Sequence, residues 1–481
     1  MLDRLATVAP QTLQTPPVGK PTSPSPTPAA VSTAPPAPAV TGDSVTVSSP
    51  PAASPTPTPT ATNAAPLAPK KWTVLIWSCS DNNLYDPMMN NLDQAERLGT
   101  NADLNIVAEA SNQPKGGTVQ RLLITPDKKP GLNSPVVADL GKDVDMADQE
   151  SFADFLKWGE TQYPAQHYLV IMADHGGGWQ GACSSESHHT WMALPDIASA
   201  LKEAQDSTGK KIDVLGFDAC LMGSTEVVHE LAPYTNYLVG SEETEAGPGW
   251  DYDPADSDLK GAPGPETRSG SIDLPQVFGL AARNEARRSH HSLVADPKGQ
   301  SKFDPSPREL AEDIVKMARS HQDDLGTMSA IDTSKEPALT QAVDNFGRAI
   351  LADKTATTDQ WKQAINLSQK FDEFHDLSDF ARIAGEKFGA NDPNLKQAAK
   401  QVQDAIKDSL VAEHHSTNYP HAHGLNIELD DHPDKKLPPR LAGTLKSGET
   451  GTYADTALAK DTVWLQALHK MHGDPAQSAT A

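Results

Sequence analysis

After Lys71 the chain alternates short apolar runs with amphipathic stretches, and this alternation limits its folding options more than any other feature. Thr73-Val74-Leu75-Ile76-Trp77, Leu104-Asn105-Ile106-Val107-Ala108, Val119-Gln120-Arg121-Leu122-Leu123-Ile124, Tyr168-Leu169-Val170-Ile171-Met172, Ile212-Asp213-Val214-Leu215-Gly216-Phe217 and Tyr237-Leu238-Val239-Gly240 each read as a strand. Helical patterns lie between them, through Met88, Leu92, Ala95 and Leu98, at Phe152–Trp158 and at Leu194–Ala204. A strand that is apolar on both sides must be covered on both sides. Such strands alternating with helices predict an α/β fold with a largely parallel sheet between helical layers. No internal repeat is present.

The pattern is missing from the first 69 residues, where Pro, Thr, Ser and Ala dominate, as in Pro-Thr-Ser-Pro-Ser-Pro-Thr-Pro (21–28). This composition cannot bury enough apolar surface to offset its ordering entropy, so residues 1–69 are expected to be a disordered tether with polyproline II character. Tethers of this kind often join a membrane anchor to a domain outside the cell or in its envelope. The opening stretch Met1–Pro10 nevertheless lacks the apolar run of a signal peptide, and no later segment approaches the ~20 apolar residues of a membrane span. The remaining chain divides into a core over 70–252, a polar Gly/Pro/Ser-rich insertion over 253–308, a mainly helical portion over 309–473 that completes the same domain, and a flexible tail over 474–481. Within the helical portion, the strand-like Leu425–Leu429 is expected to rejoin the sheet. With 40 Lys+Arg against 64 Asp+Glu the net charge is −24 and no basic stripe is present, which argues against a nucleic-acid binder.

Open α/β sheets bind ligands beyond the carboxyl ends of their strands. The run ending at Met172 continues into Ala173-Asp174-His175-Gly176-Gly177-Gly178-Trp179, and the run ending at Phe217 into Asp218-Ala219-Cys220-Leu221-Met222-Gly223. One βα unit separates them, so if the two strands are neighbours, His175 and Cys220 project from adjacent strand ends. A thiol is little ionised near neutral pH, and an imidazole beside it takes its proton and later protonates a leaving amine. Gly176 has no side chain to block close approach, so its N–H and that of Cys220 are candidates for stabilising an oxyanion. Taken singly, a histidine after a strand is more often structural, and a cysteine in this setting is equally well a small buried hydrophobe. Their placement on consecutive strand ends favours the dyad.

Trp72-Thr73-Val74-Leu75-Ile76, Asp81-Asn82-Asn83-Leu84, Asp174-His175-Gly176-Gly177-Gly178-Trp179, Asp218-Ala219-Cys220-Leu221-Met222-Gly223 and Ser241-Glu242-Glu243-Thr244, in that order, resemble the clostripain-like cysteine peptidases. The resemblance covers roughly residues 71–252 well and continues faintly through Met328–Asp332, Asp376–Phe380 and His423–Ile427. It implies a caspase-like three-layer α/β/α sandwich, shared with gingipains and legumain. It also implies a cysteine endopeptidase acting through an acyl-thioester, with Cys220 as nucleophile, His175 as general base and acid, and Gly176 with Cys220 as oxyanion hole. Asp218 matches a family residue of the S1 pocket that selects Arg or Lys at P1, which is sound chemistry for one buried carboxylate. The plain structural alternative is that Asp218 caps the next helix. Substrates would be proteins or peptides with a basic P1 residue. The chemistry needs no cofactor, while the family suggests calcium as an activator and self-processing. Arg287-Arg288 in the insertion is the favoured site for the latter.

Some features leave rivals standing. Cys79 is unusual beside the Asp81-Asn82-Asn83 motif, and Cys183, eight residues after His175, is a competing nucleophile. Three cysteines build no disulfide framework and leave at least one thiol free. Glu242, Glu243 and Glu245 are alternative selectors of a basic P1 side chain. The histidine pairs His188-His189, His290-His291 and His414-His415, with His421 and His423, raise the question of a zinc hydrolase, but none has the spacing of a helical zinc motif. A catalytically weak or inactive interaction module on a Pro-rich tether is the non-enzymatic alternative.

Overall fold

The computed structural model describes residues 68–245, 249–252, 270–271, 274, 278, 305–321, 326–429 and 451–473. Residues 1–67 of the expected tether, most of the insertion with Arg287-Arg288 and His290-His291, and the tail lie outside these residues. Along the chain the strands are β1 (Lys70–Ser78), β2 (Leu104–Ser111), β3 (Val119–Leu123), β4 (Val136–Gly141), β5 (Ala165–Ala173), β6 (Ala182–Ser185), β7 (Thr190–Met192) and β8 (Ile212–Asp218). They continue with β9 (Thr235–Gly240), β10 (Trp250–Asp251), β11 (Gly270–Ser271), β12 (Thr327–Asp332), β13 (Lys370–Phe371), β14 (Phe374–Asp376), β15 (Leu410–His415) and β16 (Asn426–Glu428). Nine of these form one sheet in the order β15-β12-β9-β8-β5-β1-β2-β3-β4. The central strands β2, β1, β5, β8 and β9 are parallel, and both edges are finished by antiparallel strands.

Successive side chains of a strand point to opposite faces, and the core divides accordingly. Leu75 and Trp77 of β1, with Val170 and Met172 of β5, join one apolar cluster; Val74 and Ile76, with Leu169 and Ile171, join another. Helix α1 (Tyr85–Ala95) covers the second cluster with Leu92 and Ala95, beside Leu310 and Ile314 of the helix Pro307–His321. The first cluster is covered by α2 (Gln149–Gln162), α3 (Leu194–Thr208) and α4 (Thr225–Leu231), with the C-terminal helices packed beyond them. Local signals set the ends: Asp148 caps α2 by accepting from the amides of Glu150 and Ser151, and Gly209, at φ +71°, closes α3 in the left-handed region.

β5 and β8 are neighbours, as the spacing requires, with Ala173 opposite Asp218. Leu425–Leu429 behaves differently from expectation. Its strand, β16, pairs with β14 in a separate three-stranded sheet, and β15 occupies the edge of the large one. Among the described residues, no helix is long and apolar enough to cross a membrane.

Candidate active site

The chain runs from β1 to β2 on one side of β1 and later returns with β5 on the other, so the order of strands reverses at the β1–β5 junction. Such a switch point opens a crevice at the carboxyl edge. Asn83 follows β1, His175 follows β5 and Cys220 follows β8, and all three line one cavity of about 260 Å³ together with Met88, Asp218, Glu245 and Gly249.

His175 is half-buried, and its Nε2 lies 2.9 Å from Oδ1 of Asn83. With the amide oxygen as acceptor, Nε2 carries the proton and Nδ1 is the basic nitrogen. Cys220 is also half-buried; the Glu245 N–H donates to its sulfur at 3.2 Å. Burial is the main reason that its thiol is pushed up to about 11, against the help of the Glu245 amide. Near neutral pH Cys220 is therefore a neutral thiol, which could attack a carbonyl only with a base to take its proton. Leu221, the next residue, sits at φ 67°, a left-handed conformation costly for a residue with a Cβ. It is held there in part by its N–H donating to the Glu243 carbonyl at 3.1 Å.

Gly176 packs directly on the backbone of Cys220. A Cβ at 176 would lie 2.2 Å from the Cys220 carbonyl oxygen and 3.0 Å from its nitrogen. Gly176 also bridges Ala182, while the hydrogen bonds on either side run from the Cys183 N–H to the His175 carbonyl and from the Gly177 N–H to the Gly181 carbonyl. In that antiparallel pattern the intervening residue turns its own N–H away from its partner. The Gly176 amide thus faces away from the β6–β7 hairpin.

Asp218 ends β8 and is 6% exposed. Its Oδ1 accepts the Trp250 N–H at 2.8 Å, and its Oδ2 lies 3.4 Å from the Tyr252 hydroxyl. Gly249, at φ +68°, passes so close that a Cβ there would meet Oδ1 at 2.6 Å. Of the alternative acidic selectors, Glu245 lines the cavity. Glu242 is buried and accepts from the Gly424 N–H, and Glu243 accepts from the Thr244 N–H and hydroxyl.

The remaining candidates fall elsewhere. Cys183 and Cys79 are fully buried and do not line the cavity. His188 sits with Ser185 and Ser187, His415 with Glu413, and His423 with Asp376. Among the described residues the one grouping of side chains suited to a metal, Cys79, Asp174 and Cys183, contains no histidine. Sequence reasoning assigned no role to Asn83, although it lies within a motif that carried the resemblance. Its signal was position, directly after the strand that turns out to neighbour β5. The enclosure of Asp218 by Trp250 and Tyr252 had no local signal, since the contact spans 32 and 34 residues.

A thiol and an imidazole at adjacent carboxyl ends of a parallel sheet, around one cleft, are the arrangement of a thiol-dependent hydrolase on a caspase-like α/β/α sandwich. The model of the clostripain family, the C11 peptidases, matches residues 76–430, and the chain belongs to this family of cysteine peptidases. It is 26% identical to clostripain of Hathewaya histolytica over 38% of this chain, spanning 41% of that relative's length. Two solved structures share the fold. A secreted C11 cysteine protease from Bacteroides thetaiotaomicron in complex with an irreversible peptide inhibitor has a TM-score of 0.50 at 17% identity, covering 83% of this chain and 98% of its own. An inactive zymogen C11 protease from Parabacteroides distasonis has a TM-score of 0.50 at 16% identity, covering 82% and 99%.

Proposed function

We propose that the chain is an endopeptidase that hydrolyses peptide bonds after Arg or Lys, with Cys220 as nucleophile and His175 as its base. The observation that carries this reading is the shared cavity, which places a thiol, an imidazole and a buried carboxylate within reach of one substrate. His175 Nδ1 takes the thiol proton as sulfur attacks the scissile carbonyl, and the Gly176 and Cys220 amides meet the developing oxyanion. The imidazolium then gives its proton to the leaving amine, and water, activated by the same imidazole, hydrolyses the thioester. Asp218, already held by Trp250 and Tyr252, receives the basic P1 side chain with its remaining acceptor capacity. The relative bearing the name clostripain is matched over less than half its length, so this substrate class rests on the cavity and the motif.

Calcium takes oxygen ligands, and the one metal-suited grouping among the described residues contributes two thiols; calcium activation is therefore a separate proposal, checked by activity with and without a calcium chelator. The deciding experiment is hydrolysis of Arg, Lys and Asp reporter peptides under reducing conditions, wild type beside Cys220→Ala and His175→Ala. Either substitution should remove about four orders of magnitude of activity or more, because members of such a unit fail together. Wild type inert toward all reporters and toward protein substrates would favour an interaction module instead.

A further inference from the structure

We infer that Cys79, Asp174 and Cys183 form a binding site for one soft divalent cation of the zinc class, directly behind the active-site cleft. Cys79 follows β1, Asp174 follows β5 and Cys183 lies in β6, so three separate strands deliver one ligand each. Their two sulfurs and a carboxylate oxygen all lie within 4.8 Å of one another, and all three residues are buried. Tetrahedral zinc with bonds of about 2.3 Å to sulfur and 2.0–2.2 Å to oxygen requires ligand atoms about 3.5–3.8 Å apart, so the group closes by about 1 Å at most to hold the ion.

The surroundings fix the carboxylate in place. Asn82 Nδ2 donates to Asp174 Oδ1 at 2.7 Å and the Ser184 N–H donates to Oδ2, which fixes the carboxylate in the way outer partners orient ligands. Trp77 Nε1 is buried without a hydrogen-bond partner and lies near the Cys183 sulfur. Thiols that coordinate such a cation do so as thiolates. Cys183 is held at φ 66°, which turns a residue with a Cβ into the left-handed region. Three protein ligands leave the fourth position of a tetrahedral site to a water. On binding, both thiol protons pass to solvent. The cation would tie together the ends of β1, β5 and β6, and through Asp174 and the Cys183 N–H on the His175 carbonyl it would brace the loop that presents His175.

The test uses the full chain carrying Cys220→Ala, which removes the cavity thiol as a competing ligand, so the outcome does not depend on peptidase activity. Incubation with Zn²⁺ followed by desalting should leave one zinc per chain by mass spectrometry of the elements and raise the Tm. Co²⁺ in its place should show thiolate charge-transfer absorption. Adding Cys79→Ala and Cys183→Ala should abolish all three signals while circular dichroism stays unchanged. Should that variant fail to fold, the Cys220→Ala chain still decides. Zn²⁺ should then shield Cys79 and Cys183 from maleimide labelling in moderate urea, and a chelator should remove the shielding. Absence of retained zinc, zinc retained equally without both cysteines, or a Cys79–Cys183 disulfide in freshly purified protein would overturn the inference.

Discussion

Asn83 is exposed yet holds the imidazole of His175. If His175 is the base proposed above, Asn83→Ala should lower kcat by about tenfold to a hundredfold with KM nearly unchanged, because the orientation of a base matters at the transition state more than in binding. A change confined to KM would move Asn83 into substrate binding. Asp218→Asn keeps an acceptor for the Trp250 amide but removes the charge, so it separates selectivity from folding. It should cut kcat/KM for P1 Arg roughly tenfold or more, from a charged hydrogen bond of about 1.5–3 kcal/mol, with Tm little altered. An unchanged value would point to Glu245, the alternative selector that also lines the cavity. The thiol pushed up to about 11 by burial makes its own statement. In His175→Ala, alkylation of Cys220 should be slow at pH 7 and rise about tenfold per pH unit toward that value, since only thiolate reacts. A rate flat from pH 6 to 9 would show a preformed thiolate.

At the level of elements, Glu160 near the end of α2 is buried at 2% exposure, and burial pushes its carboxyl up to about 7 despite help from Thr208 and Lys210. A carboxyl raised in the folded state favours folding while it stays protonated, and that contribution fades as pH climbs from about 4.5 through 7. Glu160→Gln should therefore raise Tm at pH 8, with a ceiling of about 3 kcal/mol for such a shift, and do nothing at pH 4.5. Thermal unfolding at the two pH values checks both halves. The parallel strands were legible because each is apolar on both faces and long enough to stand out from its neighbours. β4 was not, since Val136 and Val137 are 48% and 44% exposed on an edge where no burial pattern is imposed. β6 and β7 have four and three residues, too few for a period to appear. For β16 the apolar residues were read correctly and the partner was not, because pairing with β14 instead of the large sheet depends on contacts fifty residues away. Of the site, the residues after β5 and β8 were readable from their place in the chain. The amide of Glu245 on the thiol and the enclosure of Asp218 were not, as both arise only when distant loops meet.

The whole molecule carries a net charge of −24, a field that draws cationic peptides toward any cleft before contact is made. Raising ionic strength from 20 to 500 mM should lower kcat/KM for Arg reporters by roughly two- to tenfold through screening, with kcat almost constant. Self-processing also belongs at this scale. If Arg287-Arg288 is cut by the protein's own activity, the wild type should yield two fragments that elute together, and Cys220→Ala should stay whole. A fully active wild type that remains intact would refute this. The sheet suggests why such fragments would stay together. β12 lies antiparallel to β9 with Ser329 opposite Gly240, and the Thr327 hydroxyl accepts from the Glu242 and Glu243 amides at 2.9 and 3.1 Å. These bonds join the two halves across the sheet, whether or not a peptide link connects them. Two separately translated polypeptides, one ending beyond Tyr252 and the other beginning before Pro307, should then find each other during co-expression and assemble as a heterodimer. Gene fission, and not proteolysis alone, is a route this architecture leaves open.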